Sequence, residues 1–304
     1  MKQPMNIAFC FDNNYALGYL VTMVSLFENN KDEEINIYII TPYLSQEVIS
    51  KFDKLSEIYN HSIFYCKVDD KLFEGLPTHG RFNKSTYIRY AIPDLCGVSK
   101  ILQLDGDLII RKNLRELYDT DVTDVASAVV EDHNSDDLYN VNRYHLEPPF
   151  FNNGVQLMNL DYWRKNHLAE KCQRFLVENP DVCIYMDQDA NNIVLKDHVK
   201  YLPYTYNFQQ FWYKDKLSIK MHFHKWPEID KYIDDPAIIH YSVSPKPWYY
   251  ECSHPCQQEF VEYANKYDFV GFKMQHTLPF YKRITRRLYL GIGRRLYNYA
   301  SKIR

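Results

Sequence analysis

Over its first 110 residues the chain alternates short apolar runs with stretches whose apolar residues recur at helical spacing, a pattern that belongs to an open α/β sheet. Strands are predicted at 6–11, 34–40 and 62–68. Helices are predicted at 17–28, with Leu20, Val21, Val24 and Phe27 inward, and at 46–59, with Val48, Ile49, Phe52 and Leu55 inward and Ser45 as cap. A short helix over 85–93, ended by Pro93, carries Arg89. The series runs into 101–111, I-L-Q-L-D-G-D-L-I-I-R, a buried-strand pattern interrupted by two carboxylates. Residues two apart in extended chain face the same way, and Gly106 lets the backbone turn, so Asp105 and Asp107 can converge. Paired carboxylates beside a core are costly unless a cation joins them, and oxygen ligands suit Mg or Mn better than zinc. Taken alone, the motif fits equally a strand end with two solvated aspartates.

Beyond 113 the pattern becomes mixed. Strands are predicted at 122–131, at 150–160 behind the elbow F-F-N-N-G, at 199–202 and at 235–241, the last ending on His240. The polar, aromatic segment 132–149 reads as a long loop over a site. Helices are predicted at 162–178 and 190–195, the second opened by Asp187, Gln188 and Asp189, where aspartates also serve as ordinary caps. The loop S-V-S-P-K-P-W at 242–248, stiffened by proline, presents Lys246. The spacing of His222 and His224 allows them one strand face, but no Cys or carboxylate companion ligand lies beside them in the sequence. Cys252, His254 and Cys256 lack the second pair that a closed zinc site needs.

Several classes are disfavoured. There is no G-x-G-x-x-G in the first loop and no G-K-[ST], so the phosphate-cradling glycines of dinucleotide and P-loop sites are missing. A formal net charge of −3 argues against a nucleic-acid partner. Seven widely spaced cysteines make no disulfide framework, and with no signal pattern and no long apolar run the expected compartment is cytoplasmic. Charge is uneven: residues 269–304 hold nine Lys and Arg and no acid, which leaves −12 for the rest.

Five segments in this order, M-N-I-A-F-C-F-D-N-N-Y, L-D-G-D, F-N-N-G-V, M-D-Q-D and H-Y-S-V-S-P-K-P-W, together resemble glycosyltransferase family 8. The likeness is to its bacterial lipopolysaccharide and lipooligosaccharide glucosyl- and galactosyltransferase branch, and it spans nearly the whole chain. The resemblance implies a GT-A fold, with a Rossmann-like mixed sheet flanked by helices. It implies a catalytic domain over 1–272, donor-binding to about 130 and acceptor-binding and catalytic from 131; the basic helical tail over 273–304 is read from its own charge and spacing. It implies a metal-dependent retaining transferase moving Glc or Gal from a UDP-sugar to a saccharide acceptor in surface-glycan or lipopolysaccharide synthesis. By the same likeness Asp105, Asp107 and His240 hold Mn or Mg, and Asp12 and Asn14 contact uracil beside the backbone of Phe9, Cys10 and Phe11. Lys246 touches the diphosphate, with Asp105 and Gly106 beside the donor. Arg89, Asn152, Asp187 and Gln188 line the sugar pocket, with Gln188 nearest the reacting face. The chain departs from the F-N-A-G or F-N-S-G common in the family by carrying Asn153.

Gln188 is a poor nucleophile, which favours front-face transfer over a covalent intermediate, with Asp187 bonding sugar hydroxyls and Lys246 countering the leaving charge. A UDP-sugar hydrolase and a non-catalytic nucleotide-sugar-binding protein are the alternatives. In the tail, Phe280, Ile284 and Leu288 form an apolar stripe among Lys282, Arg283, Arg286 and Arg287. Such a helix suits peripheral attachment to an anionic inner leaflet, or packing on the catalytic domain.

Overall fold

The structure is a computed structural model that describes residues 2–78, 84–135, 137–213, 225–279 and 282. Its first half builds β1 (Met5–Cys10), α1 (Ala16–Glu28), β2 (Ile35–Thr41), α2 (Gln46–Tyr59) and β3 (Ser62–Lys67) close to the predicted bounds. The Ser45 hydroxyl accepts from the Val48 amide at 3.3 Å, as its capping position requires. Next come a 3-10 helix (Lys84–Ala91) and α3 (Ile92–Leu95). Pro93 sits in the first turn of α3, where its missing N–H costs nothing, and so starts a helix that the sequence reading had it end.

The stretch 101–111 is two strands, β4 (Lys100–Leu104) and β5 (Leu108–Ile110), in different sheets. After α4 (Arg115–Tyr118) and β6 (Ser127–Glu131), the expected loop 132–149 contains a helix, α5 (Leu138–Tyr144). Its start is capped by Asp137, which accepts from the Tyr139 amide at 2.9 Å. β7 (Phe151–Asn159) leads to α6 (Leu160–Lys165) and α7 (Leu168–Glu178), which the sequence reading joined. They part at His167, whose φ of 50° no helix accepts. α8 (Asp187–Val194), β8 (Val199–Leu202), β9 (Phe208–Gln209), α9 (Trp226–Ile229), β10 (Ile238–His240) and α10 (Gln257–Ala264) complete the order.

Among the described residues the strands form a seven-stranded sheet in the order β3-β2-β1-β4-β7-β6-β8 and a three-stranded sheet β5-β10-β9. β7 alone runs against its neighbours in the larger sheet. Central strands are covered on both faces, which is why they read as continuous apolar runs. In β1, Ile7 and Phe9 face the core beneath α1, and Ala8 and Cys10 face a second core with Tyr87, Tyr90 and Trp163. No helix among the described residues is long and apolar enough to cross a membrane. All seven cysteines are free. His222, His224 and the tail beyond 279, Lys282 excepted, lie outside the described residues.

Candidate active site

The site forms where the chain passes from one sheet to the other. β4 lies parallel to β1, so the residues after Cys10 and after Leu104 leave the same edge of the larger sheet. Asp105, Gly106 and Asp107 make the crossing to β5. β10 pairs with β5, setting His240 opposite Leu108, and this brings the imidazole beside Asp107. Ligand atoms of Asp105, Asp107 and His240 lie within 4.8 Å of one another, and among the described residues no other His, Cys, Asp or Glu group does the same. The Cys252, His254, Cys256 trio is therefore not a metal site.

Gly106 adopts no left-handed φ. It is required for packing: a Cβ there would come within 2.3 Å of the Tyr19 ring, and one on Gly18 within 2.3 Å of the Gly106 carbonyl. Helix α1 and the carboxylate crossing thus touch backbone to backbone. Gly154 plays the same part across the site, where a Cβ would lie 2.4 Å from His240 Cε1.

The His240 tautomer follows from its partners. Asn207 Nδ2 donates to Asn152 Oδ1 at 3.0 Å, so its Oδ1 faces His240 Nδ1 at 2.8 Å and takes that proton. Nε2 then points its lone pair at Asp107 Oδ1, 3.4 Å away. Two acceptors face each other, and the pair needs a proton or a cation between them. Lys246 pairs with the other Asp107 oxygen and donates to the Tyr241 carbonyl at 2.9 Å. Burial alone would raise the Asp107 carboxyl, but the Lys246 ammonium, joined by His240 when a proton sits between the pair, outweighs it and holds it well below the usual carboxylate range. An ionised, cation-seeking carboxylate, a second carboxylate and one imidazole nitrogen fit Mn or Mg.

Arg89 ties this cluster to α8. It donates to Asp105 Oδ1 at 3.0 Å and to the Asn153 carbonyl at 2.9 Å, and its Nε lies 3.0 Å from Asp187 Oδ2. The Asn153 amide donates to the same Asp187 oxygen at 2.8 Å. Burial pushes the Asp187 carboxyl up, against the pull of Arg89 and Asn153. Gln188 Oε1 accepts from Asn152 Nδ2 at 3.2 Å and the Asn153 amide at 3.3 Å, and its Nε2 faces Asp132 Oδ2 at 3.4 Å.

Asp189 belongs to a different task. Buried completely, it receives two hydrogen bonds from Arg143, at 2.6 and 3.1 Å, and so latches α5 onto α8. In the first loop Asp12 Oδ1 accepts from the Asn14 amide at 2.9 Å, and Tyr15 meets Trp248 edge-on at 5.6 Å, joining this loop to the one that carries Lys246. Phe9 and Phe11 are buried, and the Cys10 carbonyl accepts from the Tyr19 hydroxyl at 2.9 Å.

The expected residues from β4, β7, α8 and β10 thus converge, while Asp12 and Asn14 stand on the adjoining loop. Sequence reasoning missed Gln103, whose side-chain amide donates to Asp105 Oδ1 at 3.1 Å, and Asp132, Asn207 and Arg143. Asp132 follows a strand end, as Asp105 does, and that signal could have found it. Asn207 offers none, because its task is set by a partner distant in the chain.

The sequence model of glycosyl transferase family 8 matches residues 6–252. The chain is 26% identical over 275 residues to general stress protein A of Bacillus subtilis, covering 88% of this chain and 96% of that one. It is 29% identical over 258 residues to a lipopolysaccharide 1,2-glucosyltransferase of Escherichia coli, covering 82% and 74%. The crystal structure of galactosyltransferase LgtC in complex with donor and acceptor sugar analogs superposes with a TM-score of 0.76 at 24% identity, over 92% of this chain and 99% of that one. The fold is therefore GT-A, a mixed sheet flanked by helices.

Proposed function

The chain belongs to glycosyl transferase family 8, and from that premise we propose that it moves a hexose, glucose or galactose, from a UDP-sugar to a saccharide acceptor with retention at the anomeric carbon. The observation that carries this reading is the meeting of Asp105, Asp107 and His240 within 4.8 Å at the sheet edge where β1 also ends. The glycosyltransferase named for E. coli lipopolysaccharide supports a surface glycan as acceptor.

A divalent ion, Mn favoured over Mg by the imidazole ligand, would be held by Asp105, Asp107 and His240 Nε2, and when bound neutralises the leaving diphosphate. Lys246, which has only to leave Asp107, holds the rest of that charge. Asp12 and Asn14 read the uracil edge, beside the backbone of Phe9 to Phe11. Arg89 and Asn152 support the sugar pocket, and Asp187 bonds sugar hydroxyls. Gln188 is a neutral amide aimed by Asn152, Asn153 and Asp132, which suits orientation of the sugar and not covalent attack. The acceptor hydroxyl then enters on the face the diphosphate leaves, and a departing phosphate oxygen takes its proton. The donor side occupies about 1–130 and the acceptor side 131–272, with the basic tail holding the protein at the inner face of the cell membrane.

Binding of UDP, GDP, CMP and NAD compounds in the presence of Mn tests the donor. UDP compounds should bind at least about tenfold tighter, a difference of roughly 1.4 kcal/mol. Equal affinity across the panel removes base reading by Asp12 and Asn14. Chelator should abolish transfer. Product analysis with and without a saccharide acceptor separates a transferase from a hydrolase, which would release the same free sugar in both.

A further inference from the structure

Asn153 is buried, 4% exposed, and each of its four polar groups is used on a different residue of the site. Its backbone carbonyl accepts from Arg89, its backbone amide donates to Gln188, its side-chain amide donates to Asp187 and its side-chain oxygen accepts from Asn191 at 3.2 Å. The direction of this chain is set at its Asp187 end, where the carboxylate oxygen accepts, and the Tyr90 hydroxyl at the other end agrees with it. Tyr90 is a buried phenol held neutral, since burial raises it well above its ordinary value, and it donates to Asn191 Oδ1 at 3.1 Å. Asn191 then presents Nδ2 to Asn153 Oδ1, in accord with the Asn153 Nδ2 on the carboxylate of Asp187. Asp187 Oδ2 accepts its hydrogen bond from Asn153 and forms an ion pair with Arg89, whose Nε lies 3.0 Å away without donating to it.

We propose that Asn153 is the specificity-determining residue of the donor-sugar subsite, clamping Asp187 so that only Oδ1 meets the sugar and one hydroxyl stereochemistry is accepted. Arg89 alone leaves the carboxylate able to turn about its Cβ–Cγ bond and exchange its oxygens. The Asn153 amide removes that freedom, because it reaches Oδ2 from a second direction. Glucose and galactose differ in the orientation of a single hydroxyl, and a fixed acceptor separates them where a turning one does not. Buried groups built to bond one hydroxyl discriminate strongly against a ligand that fails to present it. Asn153 touches Asp187 and not the reacting atoms, and so is a positioning residue.

The inference rests on the UDP-hexose reading above, and the test separates the two. Donor hydrolysis without acceptor is measured with UDP-glucose and UDP-galactose for the wild type, Asn153→Ala, Asn153→Ser and Asn191→Leu, with melting temperature and UDP affinity alongside. The wild type should prefer one epimer, and in Asn153→Ala the ratio of the two kcat/KM values should fall about tenfold toward unity. UDP affinity should stay unchanged, because UDP carries no sugar. Asn153→Ser and Asn191→Leu should move the ratio in the same direction by less, and they serve if the alanine variant fails to fold. A wild-type protein indifferent to the epimer overturns the proposal. So do variants that lose activity on both donors by the same factor, which mark Asn153 as structural only. If the wild type turns over neither donor, the donor reading itself fails, and the inference with it.

Discussion

His240 and Asp107 turn acceptor toward acceptor, and the geometry that forces this is held by Asn207 on one side and Gly154 on the other. In Gly154→Ala the new Cβ would stand 2.4 Å from Cε1 and 2.9 Å from Nδ1 of a ring whose backbone is fixed in β10. The ring must swing and release Asn207, as if an outer-shell partner had been deleted. Affinity for Mn should drop by roughly ten- to a hundredfold, measured by calorimetry on the nucleotide-free protein; an unchanged Mn affinity would show that His240 is not a ligand. His254 shows a different use of a buried imidazole. Burial, with His240 and Arg111 adding to it, brings its pKa down to about 3, and its Nδ1 accepts from the Cys256 amide at 3.0 Å. The folded state thus keeps His254 neutral where the unfolded chain protonates it near pH 6.5. Stability from this site is full above that pH and is lost as pH falls below it. His254→Asn keeps the acceptor and removes the titration, so its urea midpoint should decline less than that of the wild type between pH 7 and 5. Parallel declines would remove His254 from the acid response.

Among elements, α5 is stabilised from outside itself. Its sequence L-Y-N-V-N-R-Y has few strong helix formers, and seven residues are too few to hold a helix alone. Arg143 supplies the anchor by its two bonds to Asp189. Arg143→Ala leaves that carboxylate buried without its cation, a change that costs roughly 3–5 kcal/mol in buried pairs. We expect a loss of that order in urea denaturation and faster amide exchange across 137–145. A double variant, Arg143→Met with Asp189→Asn, should recover part of the stability, and a double variant no better than the single one would locate the loss elsewhere. The same case shows why the segment reads as a loop: its helical state depends on a partner forty-six positions away, which periodicity cannot register. By contrast β1, β2, β3, α1 and α2 are legible because each carries its own period and, in α2, its own cap. The carboxylate crossing is legible in its residues but not in its architecture. Nothing in L-D-G-D-L-I-I says that Leu108–Ile110 leaves the first sheet to pair with β10, since both sheets require the same apolar residues. The α6–α7 break at His167 has no Gly or Pro to announce it, and the residues around Asn207 become a site only when β9 lies beside β10.

At the scale of the whole molecule, the two sheets meet at the site, and the loop carrying Lys246 closes over it from the smaller sheet. This loop is held by residues at the start of the basic tail. The Gln275 amide donates to the Trp248 carbonyl at 2.9 Å, and the Tyr250 amide donates to the Gln275 carbonyl at 2.9 Å. Glu251 accepts from the Thr277 amide at 3.0 Å and pairs with His276. Trp248 in turn packs on Phe260 and meets Tyr15 of the first loop. Segment 273–279 is thus a buttress of the Lys246 loop, while the arginines of the tail lie farther on, between 283 and 304. A chain ended after 272 should lose transfer activity and vesicle binding together, because the Lys246 loop loses its backbone partners. One ended after 279 keeps those partners and removes eight of the nine basic residues found between 269 and 304. Each basic side chain near an anionic surface contributes about 1 kcal/mol, so their removal is enough to abolish peripheral attachment. The chain ended after 279 should therefore transfer hexose to a soluble acceptor at close to the full-length rate and fail to sediment with phosphatidylserine-rich vesicles. Sedimentation equal to that of the full chain would put any membrane contact on the catalytic body, and loss of soluble transfer would mean that the residues after 279 serve the site itself.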